Sequence, residues 1–297
     1  DRTIFQGVYK VPENIRGVFS ARGYTEKNDL SLEELVVPYA LFSQKTVLKD
    51  FEKNLTAEIQ RVKEQGTTTQ WGSCLSGGTD SAITTYLAQK VLPVRAVTTL
   101  VFPDERPRQM AVLQKITQSL SLPLLQANSL EIPLFEDLQE SLIADPYSDP
   151  YGNWSIVMSH LLLDQGIDIV FTGMGADDYF SGSSSSVSIK SPVHKQSLSF
   201  WQPKYREPSL PAKKVPRVSL LSENLSDSLC FYNIAWRNSG VWPVSPFISA
   251  ESISFSLYLS DQQKQKKNFL KQFMESRLGV SFPEWKTKIS LAPALIE

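Results

Sequence analysis

Two short glycine-containing segments hold the residues that could do chemistry. The first is "LSGGTDS" at positions 75–81, which joins a β-branched, strand-like stretch to a stretch with helical apolar spacing. Such a junction directs backbone N–H groups and the positive end of a helix dipole at one point, which suits a phosphate. The loop lacks the Gly-Lys-[Ser/Thr] ending of the usual P-loop and carries Asp80 instead. Because a carboxylate repels phosphate, Asp80 indicates Mg²⁺ held against a pyrophosphate, as in an enzyme that releases pyrophosphate and transfers AMP.

The second segment is "TGMGADDYFSG" at positions 172–182, which follows the apolar stretch "IDIVF". It repeats the order of strand, glycine turn, acid and helix start. In a parallel sheet both loops lie at carboxyl ends of strands, where such folds bind ligands. Each segment alone is also compatible with a structural turn and a helix cap. The occurrence of both, in this order, predicts that Asp80 and Asp177 share one metal ion from opposite sides.

Composition narrows the class of protein. The 297 residues suffice for one large or two modest domains, and the formal net charge of −1 argues against attraction of the whole protein to nucleic acid or to a membrane. Cys74 and Cys230 make neither a disulfide framework nor a zinc cluster, which favours a reducing compartment. The apolar runs are too short to span a bilayer, and the opening residues do not resemble a signal peptide. We therefore expect a cytoplasmic protein with no membrane partner.

Strands alternate with helices along most of the chain, which predicts an α/β fold with a doubly wound parallel sheet, helices on both faces and a helical C-terminal part. The opening residues 3–19 predict a β-hairpin around "PEN", followed by a polar linker, so that a first unit covers 1–44 and the main domain 45–297. We predict strands within 94–102, 122–128 and 167–173, and helices within 45–65, 108–120, 134–144, 153–166, 222–240, 249–259 and 262–279.

Residues 183–217 interrupt this alternation. The segment is rich in serine and proline, and its seven Lys and Arg residues accompany a single acid, Glu207. Its composition is typical of a solvated loop, and it is also compatible with a basic lid over an anionic substrate.

The two glycine-containing segments resemble known motifs. "LSGGTDS" resembles the pyrophosphate loop of N-type ATP pyrophosphatases, and "TGMGADDYFSG" resembles the second motif of their asparagine synthetase branch, which includes the β-lactam synthetases and lasso-peptide cyclases of natural-product biosynthesis. The resemblance covers about residues 45–290. "SGVWPVSPFISAESI" and "FPEWKTKISL" are similar to two C-terminal segments of that family, and the opening hairpin is similar to the last strands of its glutaminase-like N-terminal domain.

This resemblance implies an adenine nucleotide alpha hydrolase-like fold and an ATP-dependent ligase. Members of the family adenylate a carboxylate, releasing pyrophosphate, and then let an amine or ammonia attack the acyl-adenylate. The implied cofactors are ATP and Mg²⁺, and the implied substrates are a small-molecule or peptide carboxylate and an amine or ammonia. The chain lacks the N-terminal cysteine of a glutaminase half, so we expect ammonia from a separate domain or partner chain, or else a substrate amine.

The resemblance also assigns site residues. Asp80 and Asp177 would bind Mg²⁺, and Lys288 would lie over the phosphates and the reacting carbonyl. The residues implied in binding ATP and its pyrophosphate are Leu75 and Val101 beside the adenine, the loop residues Ser76, Gly77, Gly78, Thr79, Asp80 and Ser81, and the close-approach glycines Gly173 and Gly175.

The chain departs from the family at the positions of the base that deprotonates the attacking amine. The family often has Glu or Tyr where this chain has Met174. Its C-terminal segment often reads Glu-x-Arg-x-Pro-Phe-x-Asp, whereas this chain has Trp242, Val244, Pro246, Phe247 and Ser249. Asp178 and Glu105 are the candidate replacements, and both are also compatible with acids at a helix start.

Two other functions remain open at this level. One is a tRNA-modifying ATP pyrophosphatase, for which the basic segment 183–217 would contact RNA. Thiolation commonly uses accessible cysteines, however, and Cys74 lies in a strand predicted to be buried, which makes nucleic acid an unfavoured partner. The other is a non-catalytic relative that binds nucleotide, which the replacements at Met174 and Trp242 favour.

Overall fold

A computed structural model of the chain describes residues 15–20, 23–28, 46–65, 70–101, 106–128, 153–180, 233, 236–249, 251–252, 255–256, 259 and 261–282. Glu105, Lys288, the basic segment 183–217 and the predicted helix at 134–144 lie outside these residues. Only the backbone of Asp178 is described.

The described strands form two sheets, one antiparallel pair and one parallel sheet of five strands in the order β5-β4-β3-β6-β7. Their bounds are β1 Ile15–Ser20, β2 Gly23–Asn28, β3 Trp71–Cys74, β4 Ala96–Val101, β5 Leu124–Asn128, β6 Ile169–Phe171 and β7 Trp242–Val244.

The five-stranded sheet reverses its direction of growth beside β3. The chain proceeds from β3 outward through β4 and β5, and then returns to the other side of β3 to form β6 and β7. The carboxyl ends of β3 and β6 are therefore neighbours at a topological switch point, where open α/β sheets bind ligands. This arrangement confirms the predicted doubly wound α/β fold.

Helices cover both faces of the parallel sheet. Their bounds are α1 Val47–Gln65, α2 Thr79–Val91, α3 Arg106–Leu120, α4 Asn153–Leu163, α5 Ala176–Phe180, α6 Asp261–Lys264 and α7 Asn268–Leu278, with 3₁₀ turns at Pro246–Ile248 and Gln265–Lys267. Among these described elements, no helix combines the length and the apolar character needed to cross a membrane.

Each face of the sheet has its own apolar cluster. The larger cluster joins α1, α2, α3 and α7, and Phe51 of α1 lies at its centre in ring contact with phenylalanines from five other positions. Leu55 and Ile59 continue the buried stripe that helical spacing predicts for α1. On the opposite face, Leu162 of α4 and Trp236 belong to the smaller cluster. Together the two clusters hold the strands in place and leave the carboxyl edge of the sheet to its loops.

The polar linker predicted after the opening hairpin contains a strand. Ile15–Ser20 forms a strand as predicted, and it pairs antiparallel with Gly23–Asn28, with Ser20 opposite Gly23, in the segment predicted to be a linker. A polar segment with Tyr24 and Thr25 still favours extended backbone in a two-stranded ribbon, where no face has to be continuously apolar. The first half of the predicted hairpin lies outside the described residues.

Two elements near the C-terminal side also differ from expectation. The helix predicted over 262–279 breaks into α6, a 3₁₀ turn and α7, because Lys266 and Lys267 have φ angles of 53° and 58°. Strand β7 was not predicted, since three residues with a central proline carry no alternating pattern. Pairing with β6 makes Trp242–Val244 a strand at the edge of the described sheet.

Candidate functional site

The loop after β3, residues 75–81, has the shape of an anion-binding turn. Gly77 has a φ of 86°, which favours glycine, and Gly78 caps α2. The two serine side chains brace the loop from within: the Ser81 hydroxyl accepts a hydrogen bond from the Ser76 N–H at 3.1 Å and donates to the Gly78 carbonyl at 3.1 Å. The start of the 13-residue helix α2 therefore meets a preformed loop at the carboxyl edge of the sheet.

The second segment packs directly against this loop. A Cβ atom on Gly173 would lie 2.7 Å from both the Asp80 carbonyl carbon and the Ser81 nitrogen, a distance that side chains do not tolerate. Glycine is therefore required at this position because the chain closely approaches residues 75–81, which we call the phosphate loop. The predicted approach of Gly173 to the substrate stays a prediction. Gly175, with a φ of 80°, turns the chain into α5.

A residue that sequence reasoning missed joins the two loops. The ammonium of Lys267 lies 2.5 Å from Asp80 Oδ2 and 2.7 Å from Asp177 Oδ1. One positive charge thus lies between the two carboxylates that the sequence predicts to share a metal ion. Lys267 comes from the break between α6 and α7, far from either loop in the chain.

The backbone around Lys267 is strained. Lys266 and Lys267 both adopt left-handed conformations, which disfavour side chains with a Cβ by about 1–2 kcal/mol each. Burial alone would lower the pKa of Lys267, but Asp80 and Asp177 outweigh it and raise that pKa, so the ammonium stays charged. Strain of this kind persists where surrounding contacts hold it, and here those contacts include two ion pairs.

The pair of carboxylates fits Mg²⁺ as a cofactor. Within the described part of the chain, no group of three or more His, Cys, Asp or Glu residues could hold a metal ion. Mg²⁺ commonly uses only one or two protein carboxylates and completes its shell with waters and substrate phosphates. Asp80 and Asp177 both contact one cation, the Lys267 ammonium, so the two carboxylates reach a common point between the loops.

The described part of the C-terminal segment 239–253 supports the second loop, the glycine turn that begins at Thr172. Its contacts are structural and do not replace the base that the family uses to deprotonate the amine. The Thr172 N–H donates to the Val244 carbonyl at 2.8 Å, and the Ser245 hydroxyl donates to the Met174 carbonyl at 2.5 Å. Ser249 accepts a hydrogen bond from the Ser252 N–H at 3.1 Å, as a local cap. The bonds at Thr172 and Met174 hold the glycine turn in place.

Trp242 lies away from this edge of the sheet. The register places it opposite Ile169 at the amino end of β7, whereas the second loop follows the carboxyl end of β6. Its ring is 53% exposed and lies under the Arg237 guanidinium, 4.1 Å from the ring centroid. The residue that stands where the family often has a glutamate is therefore a surface residue, not part of the site.

The two residues expected beside adenine lie at the ends of adjacent strands. Leu75 follows β3, and Val101 ends β4. The Leu75 side chain is fully buried in the larger apolar cluster, so it cannot stack on a base, and the contact expected from the resemblance would fall to the main chain.

Among the remaining titratable residues, the structure describes the side chains of Cys74 and His160. Burial raises the pKa of the Cys74 thiol, which keeps it protonated and unreactive, as expected for a cysteine in a packed strand. His160 is exposed on α4. The roles of Lys288, Glu105 and the Asp178 side chain stay predictions, because these groups lie outside what the structure describes.

Comparison with models of protein families identifies the family of this chain. The family model described as asparagine synthase matches residues 61–239, a range that contains both glycine-containing loops. No curated protein matches the sequence.

Proposed function

Because the chain belongs to the asparagine synthase family, whose model matches more than half of its length, we propose that it is an ATP-dependent, AMP-forming ligase. It adenylates a small-molecule or peptide carboxylate and passes the acyl group to an amine or to ammonia. Membership of the family supports ATP-dependent amidation in general. The residues of the two loops and Lys267 support the individual steps of the reaction.

The observation that carries this proposal is the cation bridge from Lys267 to Asp80 and Asp177. It brings the phosphate loop and the second loop to one point beside the start of α2. Two loops that served only as turns would have no reason to bring their acids together around one half-buried ammonium, since partial burial of charges costs desolvation energy. A triphosphate with its metal ion gives all three residues a ligand.

In the first half-reaction, an oxygen of the substrate carboxylate attacks the α-phosphorus of ATP. The bond from that phosphorus to the bridging oxygen breaks, and pyrophosphate leaves with the electron pair. The loop N–H groups, the α2 dipole and the Lys267 ammonium stabilise the charge on the departing pyrophosphate. When bound, Mg²⁺ neutralises phosphate charge, and Asp80 and Asp177 are the residues that would hold it.

In the second half-reaction, the amine attacks the acyl carbon, AMP leaves and the amine loses a proton. Lys267 is not the proposed base for that proton, because an ammonium beside carboxylates or phosphates is stabilised in its charged form. Asp178 and Glu105 remain the proposed bases, and Lys288 the proposed cation beside the developing oxyanion.

Exchange of radiolabelled pyrophosphate into ATP tests the proposal. We expect exchange that depends on Mg²⁺ and on a carboxylate, with pooled amino acids and short peptides as probes. Asp164→Asn, at an exposed position next to α4, is a matched control that should keep full exchange. Binding of Mg-ATP without exchange under any probe would favour the non-catalytic relative. Exchange that requires added tRNA would favour the tRNA-modifying enzyme.

A further inference from the structure

Gln109 has a buried side-chain amide whose partners are both main-chain carbonyls. It lies in the first turn of α3, and it is only 1% exposed. Its Nε2 donates to the Leu100 carbonyl at 2.8 Å and to the Ser76 carbonyl at 3.2 Å. The Leu100 carbonyl belongs to β4 and the Ser76 carbonyl to the phosphate loop, so one side chain joins this loop to β4.

The chain path explains why such a bridge is needed. The last ladder bond between the strands runs from the Leu75 N–H to the Thr98 carbonyl, at 2.9 Å. If the parallel ladder continued, the Gly77 N–H would be the next donor, to the Leu100 carbonyl. Instead, Gly77 turns with a φ of 86°, and the Ser76 carbonyl faces the same amide as the Leu100 carbonyl does. Two carbonyls that converge in this way need a shared donor.

The orientation of one peptide group follows from this contact. In a trans peptide, the C=O of one residue and the N–H of the next point in opposite directions. Because Gln109 holds the Ser76 carbonyl inward, the Gly77 N–H of the same peptide group points away from Gln109 and from α3.

Gln109 is also a poor choice for stability alone. Its Oε1 atom is buried, and no hydrogen-bond donor reaches it among the described residues. A buried acceptor without a donor destabilises a fold, whereas an apolar side chain of the same length would avoid that cost. The amide is therefore explained by its two Nε2 contacts rather than by its packing.

We propose that Gln109 is a positioning residue for the phosphate loop, which fixes the Ser76–Gly77 peptide so that the Gly77 N–H faces the pyrophosphate of ATP. This inference rests on the proposed function for its ligand, and on the geometry alone for its effect on the loop. Gln109 itself touches no reacting atom.

Three variants test it, with the probe being Mg-pyrophosphate measured by calorimetry. Gln109→Met keeps the length and removes both donated bonds, and Gln109→Glu puts a carboxylate against two carbonyls. Gln114→Met, at an exposed position on the same helix, is the matched control. We expect about a tenfold weaker binding in Gln109→Met and a larger loss in Gln109→Glu, with no change in the control.

A merely structural role predicts a different result. In that case Gln109→Met would bind Mg-pyrophosphate more weakly only in proportion to its loss of thermal stability, and this outcome would overturn the proposal. Wild-type affinity for Mg-pyrophosphate in Gln109→Met would also overturn it.

Hydrogen exchange of a peptide covering residues 75–81 distinguishes a failure of this proposal from a failure of the proposed function. If the unaltered protein binds neither Mg-pyrophosphate nor Mg-ATP, the proposed function fails. Altered exchange in ligand-free Gln109→Met would still support the loop geometry, and unchanged exchange would refute it.

Discussion

The Lys267 ammonium lies 2.5 Å from Asp80 Oδ2, although 187 positions separate the two residues in the chain. Asp177 contributes the second carboxylate, 2.7 Å away on the other side of the same ammonium. Lys267 thus occupies the place between the two acids that a divalent cation would take. Once a metal ion holds the two carboxylates, the phosphates of ATP are the stronger anions near Lys267. Binding of Mg-ATP should therefore move the Lys267 ammonium from the carboxylates to the phosphates.

Lys267→Met should reduce pyrophosphate exchange by about a hundredfold, because preorganised charge on the departing group is lost. Lys266→Met alters the exposed neighbour at the same backbone break and is the matched control. Its exchange rate should stay within about twofold of the unaltered protein. Equal losses in the two variants would mean that the break, not the Lys267 charge, matters.

Asp80→Asn and Asp177→Asn should each nearly abolish ATP turnover while the fold is retained. An amide oxygen binds Mg²⁺ much more weakly than a carboxylate does. Pyrophosphate release at several Mg²⁺ concentrations measures this, with circular dichroism as the check on folding. Release at the wild-type rate from either variant would contradict the metal assignment.

Gly173→Ala should lose both stability and activity. The added methyl group would lie 2.7 Å from the Asp80 and Ser81 backbone, so the two loops must separate. We expect a loss of about 2–4 kcal/mol in the free energy of unfolding, measured in urea. Gly279→Ala is the control, since its methyl group meets nothing within 4 Å and only the left-handed backbone resists it. It should cost about 1 kcal/mol and leave exchange intact.

Glu52 should make stability depend on pH. Burial alone would raise the pKa of this carboxyl, but hydrogen bonds from Lys90 and Arg277 outweigh it and lower the pKa. A lowered folded-state pKa means that the stabilisation is present above the unfolded-state pKa and is lost as the pH falls through the folded-state value. Glu52→Gln should remove about 1–2 kcal/mol at pH 7 and less in acid. Urea unfolding of this variant and of the control Glu58→Gln, at neutral and acidic pH, measures the difference.

Lys288→Met should separate the two half-reactions. If this lysine acts on the carbonyl, as the resemblance implies, the variant keeps much of its pyrophosphate exchange but forms amide at least about a hundredfold more slowly. Single-turnover assays of both steps measure this. Amide formation near the wild-type rate would identify Lys288 as a surface lysine, and loss of exchange would place its action on the phosphates.

The sequence by itself determined most of the helices, the central strands and the two loops. The stripe of Phe51, Leu55 and Ile59 specifies the buried face of α1, and apolar runs specify the strands of a parallel sheet. These signals are local, because side-chain periodicity and the glycine requirement of a tight turn are properties of a few neighbouring residues. Asp80 and Asp177 were therefore assignable to one site once both loops were placed at the carboxyl edge.

Only the tertiary structure decided what completes that site. Lys267 reaches the acids through two left-handed lysines, and neither of these two positions holds the glycine that usually marks such a backbone. Gln109 looks like any polar residue of a helix until the strand ends place two carbonyls against its amide. Strand β7 forms because β6 offers it a partner, and the three residues Trp242–Val244 are too short a segment to mark a strand by themselves. In each case the deciding interaction joins residues that are distant in the chain, and local propensity carries no information about such contacts.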